Sequence, residues 1–286
     1  MTYTLLSFGH GYSARALSRI LLAQDWRVIG TTRNEEKAVG MMNDGIEPRI
    51  WPGADMAPAL NGATHLLISA APDDAGDPVL AALHDEIAAR AGQFEWVGYL
   101  STTGVYGDHG GDWVDETTPL TPSTKRGIAR VQAESAWAAI PDLPLHIFRL
   151  AGIYGPGRGP FAKVRAGTAR RIIKADQVFS RTHVADIARV LAASIRNPNP
   201  GAVYNVCDND PAAPQDVIGY AADLLGLPLP PAEDFEKAEM SPMARSFYAE
   251  SKKVRNDRIK NELGVELLYP DYRSGLKALL AHELSA

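Results

Sequence analysis

The chain has 286 residues, of which 45% are hydrophobic and 22% charged, a balance typical of a soluble globular protein of one large or two modest domains. Its formal net charge of −5 argues against a general nucleic-acid-binding protein, which would usually be basic. No stretch approaches the roughly 20 apolar residues that a membrane span needs. Cys207 is the only cysteine, which excludes an intrachain disulfide and a two-cysteine metal site. We therefore expect a cytoplasmic protein with no metal site, no nucleic-acid partner and no membrane contact.

Apolar runs alternate with amphipathic segments through the first 150 residues. The runs predict six strands, at Tyr3–Phe8, Arg27–Thr31, Pro48–Trp51, His65–Ala70, Glu95–Leu100 and Leu145–Leu150. Helices are predicted between them at Ser13–Gln24, Glu35–Met42, Val79–Ala89 and Thr124–Ala139. Strands separated by helices of this length indicate βαβ units. The predicted fold class is therefore α/β, with a Rossmann-type doubly wound parallel sheet.

A glycine-rich turn directly follows the first strand and opens the first helix. Its sequence has the form G-x-G-x-x-A, in which Gly9 permits the sharp turn and Gly11 lets a pyrophosphate approach the backbone. Glycines also end strands for purely structural reasons, but strand, turn and helix in this order favour dinucleotide binding at a helix N-terminus. The predicted cofactor contacts are Gly9, Gly11, Tyr12, Ser13 and Ala14.

The residues after the second strand bear on which dinucleotide binds. NAD-binding chains usually place Asp or Glu there for the ribose hydroxyls, whereas this chain has Thr32 and Arg33. A guanidinium can pair bidentately with a 2′-phosphate, so these residues favour NADP, with NAD as the alternative. Arg33 is otherwise explained as a solvated surface residue. After the fourth strand, small residues would let the cofactor lie against the backbone at Ala70, Ala71 and Pro72.

The pattern changes after about residue 151. Glycines and prolines crowd residues 152–160, and a basic segment, Lys163–Lys174, follows them. Short helices are predicted at Val184–Ile195, Pro214–Leu225 and Asp271–Ala281. We interpret residues 1–150 as the dinucleotide-binding core and residues 151–286 as a smaller substrate lobe, some of whose segments return to the core sheet.

Five motifs occur in order, at Gly9–Ala14, Leu100–Gly107, Arg149–Gly157, His183–Ile187 and Tyr204–Val206. Together they resemble the extended short-chain dehydrogenase/reductase superfamily, in its NAD-dependent epimerase/dehydratase group. The resemblance covers nearly the whole chain and implies a Rossmann fold, a nicotinamide dinucleotide and a small-molecule substrate. Many members dimerise through two helices that would correspond to Val79–Ala89 and Thr124–Ala139, so a homodimer is also an expectation.

The resemblance further implies a catalytic set of a Ser or Thr hydroxyl, a tyrosine and a lysine. The tyrosine acts as acid/base because the nearby lysine lowers its pKa, and the hydroxyl orients the substrate oxygen. The hydroxyl position matches Thr102, five residues before Gly107. Ser101 beside it is expected to contact the cofactor.

The helix that should carry the tyrosine and lysine departs from this pattern. Gly127 and Glu134 fall where the pattern places them, which puts Arg126 at the tyrosine position and Arg130 at the lysine position. Arginine is always protonated, so Arg126 cannot shuttle protons, whereas Arg130 can still donate to ribose hydroxyls. The chain resembles the atypical branch of the superfamily, and we expect it to lack a Tyr-x-x-x-Lys pair. The predicted catalytic residues are Thr102, Arg126 as a cationic clamp, and Arg130.

Residues in neighbouring loops are weaker candidates for the missing acid. Tyr106 and Tyr154 are expected to contact substrate, as is Arg158, which follows a Gly-Pro-Gly turn and suits an anion. His183 is expected to make a structural hydrogen bond at the start of the next helix. Acidic residues in 108–116 predict a solvated loop rather than a metal site. The basic segment Lys163–Lys174 fits either an anionic ligand or a solvated charged face.

Two hypotheses of different class follow. The first is an NADP-binding oxidoreductase or epimerase that acts on a small substrate, anionic or nucleotide-linked. The alternative is a non-catalytic NADP(H) sensor or regulatory protein, whose cofactor occupancy controls a partner.

Overall fold

The computed structural model of the protein describes residues 3–285, without the side chains of residues 243 and 285. Seven parallel strands form its central sheet: β1 (Thr4–Phe8), β2 (Arg27–Thr32), β3 (Glu47–Ile50), β4 (His65–Ile68), β5 (Trp96–Thr102), β7 (Leu145–Leu150) and β11 (Val203–Val206). Their order is β11-β7-β5-β4-β1-β2-β3, so the chain turns outward in both directions from β1. Such a switch point opens a crevice at the carboxyl ends of β1 and β4, where doubly wound sheets bind ligands.

Short strands pair outside this sheet: β6 (Trp113–Val114) with β13 (Lys253–Val254), β8 (Gly152–Tyr154) with β10 (Arg181–His183), and β9 (Arg171–Ile173) with β12 (Ala232–Asp234). The α-helices are α1 (Tyr12–Leu22), α2 (Glu35–Asn43), α3 (Ala57–Gly62), α4 (Pro78–Ala88), α5 (Lys125–Ala138), α6 (Phe161–Arg165), α7 (Val184–Arg196), α8 (Pro214–Leu224), α9 (Pro242–Phe247), α10 (Asp257–Asn261) and α11 (Tyr272–Ser285).

Two hydrophobic clusters cover the two faces of the sheet. One contains Leu17 of α1 and Leu191 of α7, and the other contains Ile87 of α4 and Trp137 of α5. Because both faces are covered, all five residues of β1 are buried. A third cluster joins α6, α8 and α11 in the C-terminal half.

The fold class is confirmed, and all six predicted strands lie within two residues of their expected ends. β5 extends beyond Leu100 because Ser101 and Thr102 continue the pairing with β7. In the C-terminal half, β11 joins the sheet beside β7, and α7 packs on the same face as α1. Among residues 3–285, no helix combines the length and the apolar character that crossing a membrane requires.

Candidate active site

The glycine turn after β1 is held against the end of β4. Gly9 has φ +74°, and a Cβ built there would lie 2.7 Å from the backbone nitrogen of Ala70. The Gly9 N–H donates to Thr31 Oγ1 at 2.8 Å, which fixes the turn to β2. Both the backbone conformation and the close approach therefore require glycine at this position.

The N-terminus of α1, which begins after this turn, has no side-chain cap. Gly11 occupies the capping position and the first turn carries no acidic residue, whereas the side chains of Asn34, Asp77 and Thr124 cap α2, α4 and α5. A Cβ on Gly11 would meet only the Gly9 carbonyl oxygen, at 3.7 Å, so the approach to this backbone is open. Uncapped N–H groups and the helix dipole together favour an anion here, which fits a dinucleotide's phosphates.

A cavity of about 840 Å³ begins beside this helix end. It runs from Ser13 and Ser69 to the carboxyl ends of β5 and β7, and residues of 178–181 and 246–254 line its other side. Its volume lies in the range that organic ligands and cofactors occupy in proteins. The crevice that the sheet topology predicts is therefore a real cavity with room for a ligand.

The three predicted catalytic residues all line this cavity. Thr102 Oγ1 accepts the Gly104 N–H at 3.2 Å, so the hydroxyl proton is available to an oxygen in the cavity. Arg130 Nη1 donates to the Tyr99 hydroxyl at 3.3 Å and to the Leu100 carbonyl. Arg126 is exposed, and its guanidinium carbon lies 5.8 Å from the centre of the Phe247 ring.

Ser101 also lines the cavity and connects it to a buried polar network. Its hydroxyl donates to Glu134 Oε1 at 2.5 Å, and Glu134 forms an ion pair with Arg149, with Nη2–Oε2 at 2.8 Å. Arg149 Nη1 donates to the Tyr106 hydroxyl at 3.0 Å, which donates to Asn205 Oδ1 at 2.7 Å. Tyr106 is fully buried in this network, away from the cavity, and burial raises its pKa to about 12. The substrate contact of Tyr106 stays a prediction, and the buried position of this side chain outside the cavity lining does not favour it.

Tyr154 and Arg158, the other predicted substrate contacts, line the cavity. The Tyr154 hydroxyl is buried without a hydrogen-bond partner among the described residues, and burial raises its pKa. His183 Nδ1 accepts the Ala185 N–H at 3.2 Å, which confirms the expected structural hydrogen bond at the start of α7. Burial lowers the pKa of His183 to about 4, so the ring is neutral at physiological pH.

The remaining predicted cofactor contacts follow the carboxyl ends of β2 and β4. Arg33 is exposed, and its guanidinium has no hydrogen bond or ion pair within residues 3–285. Thr32 is half-buried, and its hydroxyl accepts the Asn34 N–H at 3.2 Å. Ala71 is exposed, while Ala70 and Pro72 are half-buried. These residues share the sheet edge of the glycine turn but lie outside the cavity lining.

A curated relative, Protein YeeZ of Escherichia coli (strain K12), is 30% identical over 276 residues, which cover 92% of this chain and 95% of the relative. The chain belongs to the YeeZ family. No family model matches it. A solved structure of a functionally unknown conserved protein from Silicibacter pomeroyi DSS is 68% identical, with a TM-score of 0.96 over 98% of this chain and 99% of that one.

A solved structure of a putative NAD-dependent epimerase/dehydratase from Methylobacillus flagellatus is 27% identical, with a TM-score of 0.72 over 99% of both chains, which supports the extended short-chain dehydrogenase/reductase superfamily. Solved structures at lower identity share the fold. The dTDP-glucose 4,6-dehydratase of Bacillus anthracis, in complex with NAD, has a TM-score of 0.80 at 18% identity and covers 99% of this chain and 97% of that one. The human epimerase family protein SDR39U1, with NADPH, has a TM-score of 0.76 at 17% identity and covers 97% and 99%. At these identities the likeness establishes the fold.

One expectation about the superfamily's catalytic pair is wrong, because Tyr248 and Lys252 stand four residues apart. They do not form the superfamily's arrangement on one helix face, since Tyr248 ends α9 and Lys252 lies beyond it. The Tyr248 ring packs against Phe179 and Phe235, with ring centres 5.6 and 5.4 Å away, and lies outside the cavity lining. Tyr248 and Lys252 therefore do not replace the catalytic tyrosine that α5 lacks.

Lys252 and Glu250 are cavity residues that sequence reasoning missed. Lys252 Nζ donates to Glu250 Oε2 at 2.7 Å and to the Gly107 carbonyl at 2.6 Å, and both side chains are about nine-tenths buried. The Ser123 hydroxyl donates to Glu250 Oε1 at 2.9 Å. The only signal in the sequence was the Tyr-x-x-x-Lys spacing, which would have directed attention to the wrong residue of the pair.

Several residues of the basic and acidic segments pair with residues distant in sequence. Arg165 pairs with Glu283 and Arg170 with Glu233, while Lys174 donates to the Tyr248 carbonyl. In the acidic loop, Asp108 Oδ1 accepts the Ser251 N–H at 2.7 Å, and this bond lowers the pKa of Asp108. Within residues 3–285, no three His, Cys, Asp or Glu side chains are grouped to hold a metal ion.

Proposed function

We propose that the protein binds NADP(H) and acts as an oxidoreductase or epimerase on a small anionic substrate. One observation carries this proposal: the uncapped N-terminus of α1 opens into the same cavity that Thr102, Arg126 and Arg130 line. A backbone suited to binding phosphate and the candidate reacting groups thus share one cavity. Solved structures of the same fold in complex with NAD and with NADPH support a nicotinamide dinucleotide.

The residues after β2 support NADP over NAD. Arg33 offers an unpaired guanidinium there, and the nearest carboxylates, Glu35 and Glu36, lie in the first turn of α2. A carboxylate that follows β2 directly would repel a 2′-phosphate, whereas a free guanidinium attracts it. The bound dinucleotide would supply hydride transfer.

Charge in the cavity lining supports an anionic substrate, including a nucleotide-linked one. The lining cations come from both sides of the cavity: Lys125, Arg126, Arg130, Arg158, Arg181 and Lys252. The lining contains one carboxylate, that of Glu250, and Lys252 and Ser123 already bind its two oxygens. The net charge that meets a ligand is therefore positive.

Each predicted catalytic residue has a chemical role that its position allows. The Thr102 hydroxyl would donate to the reacting substrate oxygen, because it accepts the Gly104 N–H and its own proton has no acceptor among the described residues. Arg126 would hold an anionic group of the substrate, and Arg130 would donate to the nicotinamide ribose with the guanidinium nitrogens that Tyr99 and Leu100 leave free.

The non-catalytic sensor remains the second candidate because of one residue. Arg126 stands where the superfamily's tyrosine exchanges protons, and a guanidinium keeps its proton at all physiological pH values. Turnover separates the two candidates. An enzyme oxidises NADPH with carbonyl or nucleotide-sugar substrates and loses rate in Thr102→Ala, whereas a sensor binds NADPH without turnover.

Calorimetric titration with NADPH and with NADH tests the cofactor proposal. We expect wild-type protein to bind NADPH about 10-fold more tightly, because a charged phosphate contact contributes roughly 1.5 kcal/mol or more. Arg33→Ala should abolish that preference and leave NADH affinity unchanged. Arg196→Ala, which removes an exposed arginine at the end of α7, serves as the control. Tighter binding of NADH by the wild-type protein would contradict the proposal.

The proposed homodimer through α4 and α5 is a separate prediction. Light scattering on purified protein tests it, and a monomer at micromolar concentration would count against it.

A further inference from the structure

We infer that Tyr12 and Arg158 form a clamp over the first turn of α1, in which the Arg158 guanidinium binds the diphosphate of the dinucleotide. The inference rests on the proposed function, since it concerns the same cofactor. It reassigns Arg158, which sequence reasoning placed with the substrate contacts.

Tyr12 joins the glycine turn to a turn that is distant in sequence. It is the first residue of α1, and its hydroxyl donates to the Pro156 carbonyl at 2.9 Å, across 144 residues of chain. The loop at 155–158 is thereby held against the uncapped helix end. This contact brings a C-terminal segment to the point where the phosphates are expected.

The loop at 155–158 is itself a closed and tightly packed turn. Gly155 and Arg158 exchange two backbone hydrogen bonds, at 3.0 and 2.9 Å. A Cβ on Gly155 would lie 2.5 Å from the Tyr12 hydroxyl oxygen and 2.7 Å from Val184 Cγ1, so this position has no room for a side chain. At Gly155 the turn is therefore packed between Tyr12 of α1 and Val184 at the start of α7.

Arg158 brings an unused cation to this helix end. Its guanidinium carbon lies 5.9 Å from the centre of the Tyr12 ring, and both Arg158 and Ser13 line the cavity. Within the described residues, its guanidinium has no hydrogen-bond acceptor and no carboxylate partner. Its N–H donors and the free backbone N–H groups of α1 would therefore contact one anion from two sides, through charge-assisted hydrogen bonds.

This arrangement divides cofactor recognition between two arginines. NAD and NADP carry the same diphosphate, so Arg158 should contribute equally to the affinity for both. Arg33, at the end of β2, should alone distinguish them through the 2′-phosphate. The two roles give different results in the same titrations.

The experiment compares Arg158→Met with wild-type protein in calorimetric titrations of NADPH, NADH and ADP-ribose, a diphosphate without nicotinamide. We expect all three dissociation constants to rise about 10-fold, in line with the loss of a charged hydrogen bond, while the ratio of NADPH to NADH affinity stays unchanged. Tyr12→Phe, which loses the bond to Pro156, should weaken all three about threefold. Arg19→Met removes an exposed charge from the same helix and should change none.

The outcomes separate this inference from the proposed function. If wild-type protein binds NADPH and Arg158→Met binds all three ligands as tightly as wild type, the clamp is wrong and the proposed function stands. A change in the NADPH to NADH ratio would also overturn it, because Arg158 would then contact the 2′-phosphate. If wild-type protein binds none of the three ligands, the proposed function itself fails. Unchanged thermal unfolding of each variant shows that the fold is intact.

Discussion

The two sides of the cavity are built differently. On the Rossmann side, backbone N–H groups and small residues form the surface at Gly9–Ser13, where Gly9 donates to Thr31 Oγ1 and packs against the backbone of Ala70. On the lobe side, residues 246–254 are held by side chains over long sequence distances, such as Lys252 Nζ on the Gly107 carbonyl. The proposed cofactor site is thus shaped by backbone geometry, whereas the opposite wall of the cavity, residues 246–254, depends on buried charges.

The largest expected effect lies on the Rossmann side, beneath Ser101. Glu134→Gln leaves Arg149 buried without its ion-pair partner, and removing one member of such a pair costs about 3 kcal/mol or more. Urea unfolding measures the loss in the free energy of unfolding. Gln132→Ala, an exposed position on the same helix, should change it by less than about 0.5 kcal/mol.

The double variant Glu134→Gln/Arg149→Met sharpens this prediction. Because it removes both charges, it should recover much of the lost stability. If Glu134→Gln alone is as stable as wild type, the Glu134–Arg149 ion pair beneath Ser101 does not stabilise this part of the fold.

A smaller effect is expected on the lobe side. Lys252→Met leaves the Gly107 carbonyl without its ammonium donor and the Glu250 carboxylate with only Ser123, which should cost about 2 kcal/mol. Lys253→Met, at the next residue, is the matched control and should cost a few tenths of a kcal/mol, since its ammonium lies 5.6 Å from the Trp113 ring centre. Equal losses in the two variants would contradict a special role for Lys252 in the wall.

The last effect depends on pH and concerns Asp208, on the lobe side behind Tyr154. Burial raises the pKa of Asp208 to about 8, and its Oδ2 has no hydrogen-bond partner among the described residues. The folded protein therefore keeps this carboxyl protonated up to about pH 8, while the unfolded chain ionises it near pH 4. Folding takes up a proton in that window, so this group lowers stability as the pH rises from about 4 to about 8.

Asp208→Asn removes this dependence. Relative to wild type, the variant should gain stability steadily as the pH rises from about 4 to about 8, with little gain at pH 4. The buried His10, His65, His146 and His183, whose pKa values burial lowers to about 4, act in the opposite sense, because they lose stability as the pH falls from about 6.5. They contribute equally to both proteins and cancel in the difference. A gain that is independent of pH would contradict the assignment to Asp208.

The difference between the two sides of the cavity also explains what the sequence could and could not predict. Strand β1, Gly9 and the start of α1 lie within a few residues of one another, so periodicity and glycine spacing were sufficient to predict them. Arg126 and Arg130 both line the cavity because they are four residues apart on α5, and this helical spacing places them on one face. The wall residues Glu250 and Lys252 depend on contacts with Ser123 and Gly107, more than 100 residues away, and no local pattern reports such contacts. Tyr106 was assigned to substrate because nothing in its neighbourhood indicates Arg149 and Asn205 as partners.

A crystal structure of the protein grown with NADPH would show whether the glycine turn and the cavity bind one dinucleotide together. We expect the diphosphate against the N–H groups after Gly9, the 2′-phosphate at Arg33, and the nicotinamide near Thr102 and Arg130. A dinucleotide bound elsewhere, or one whose adenosine end lies beside Thr102, would contradict this expectation.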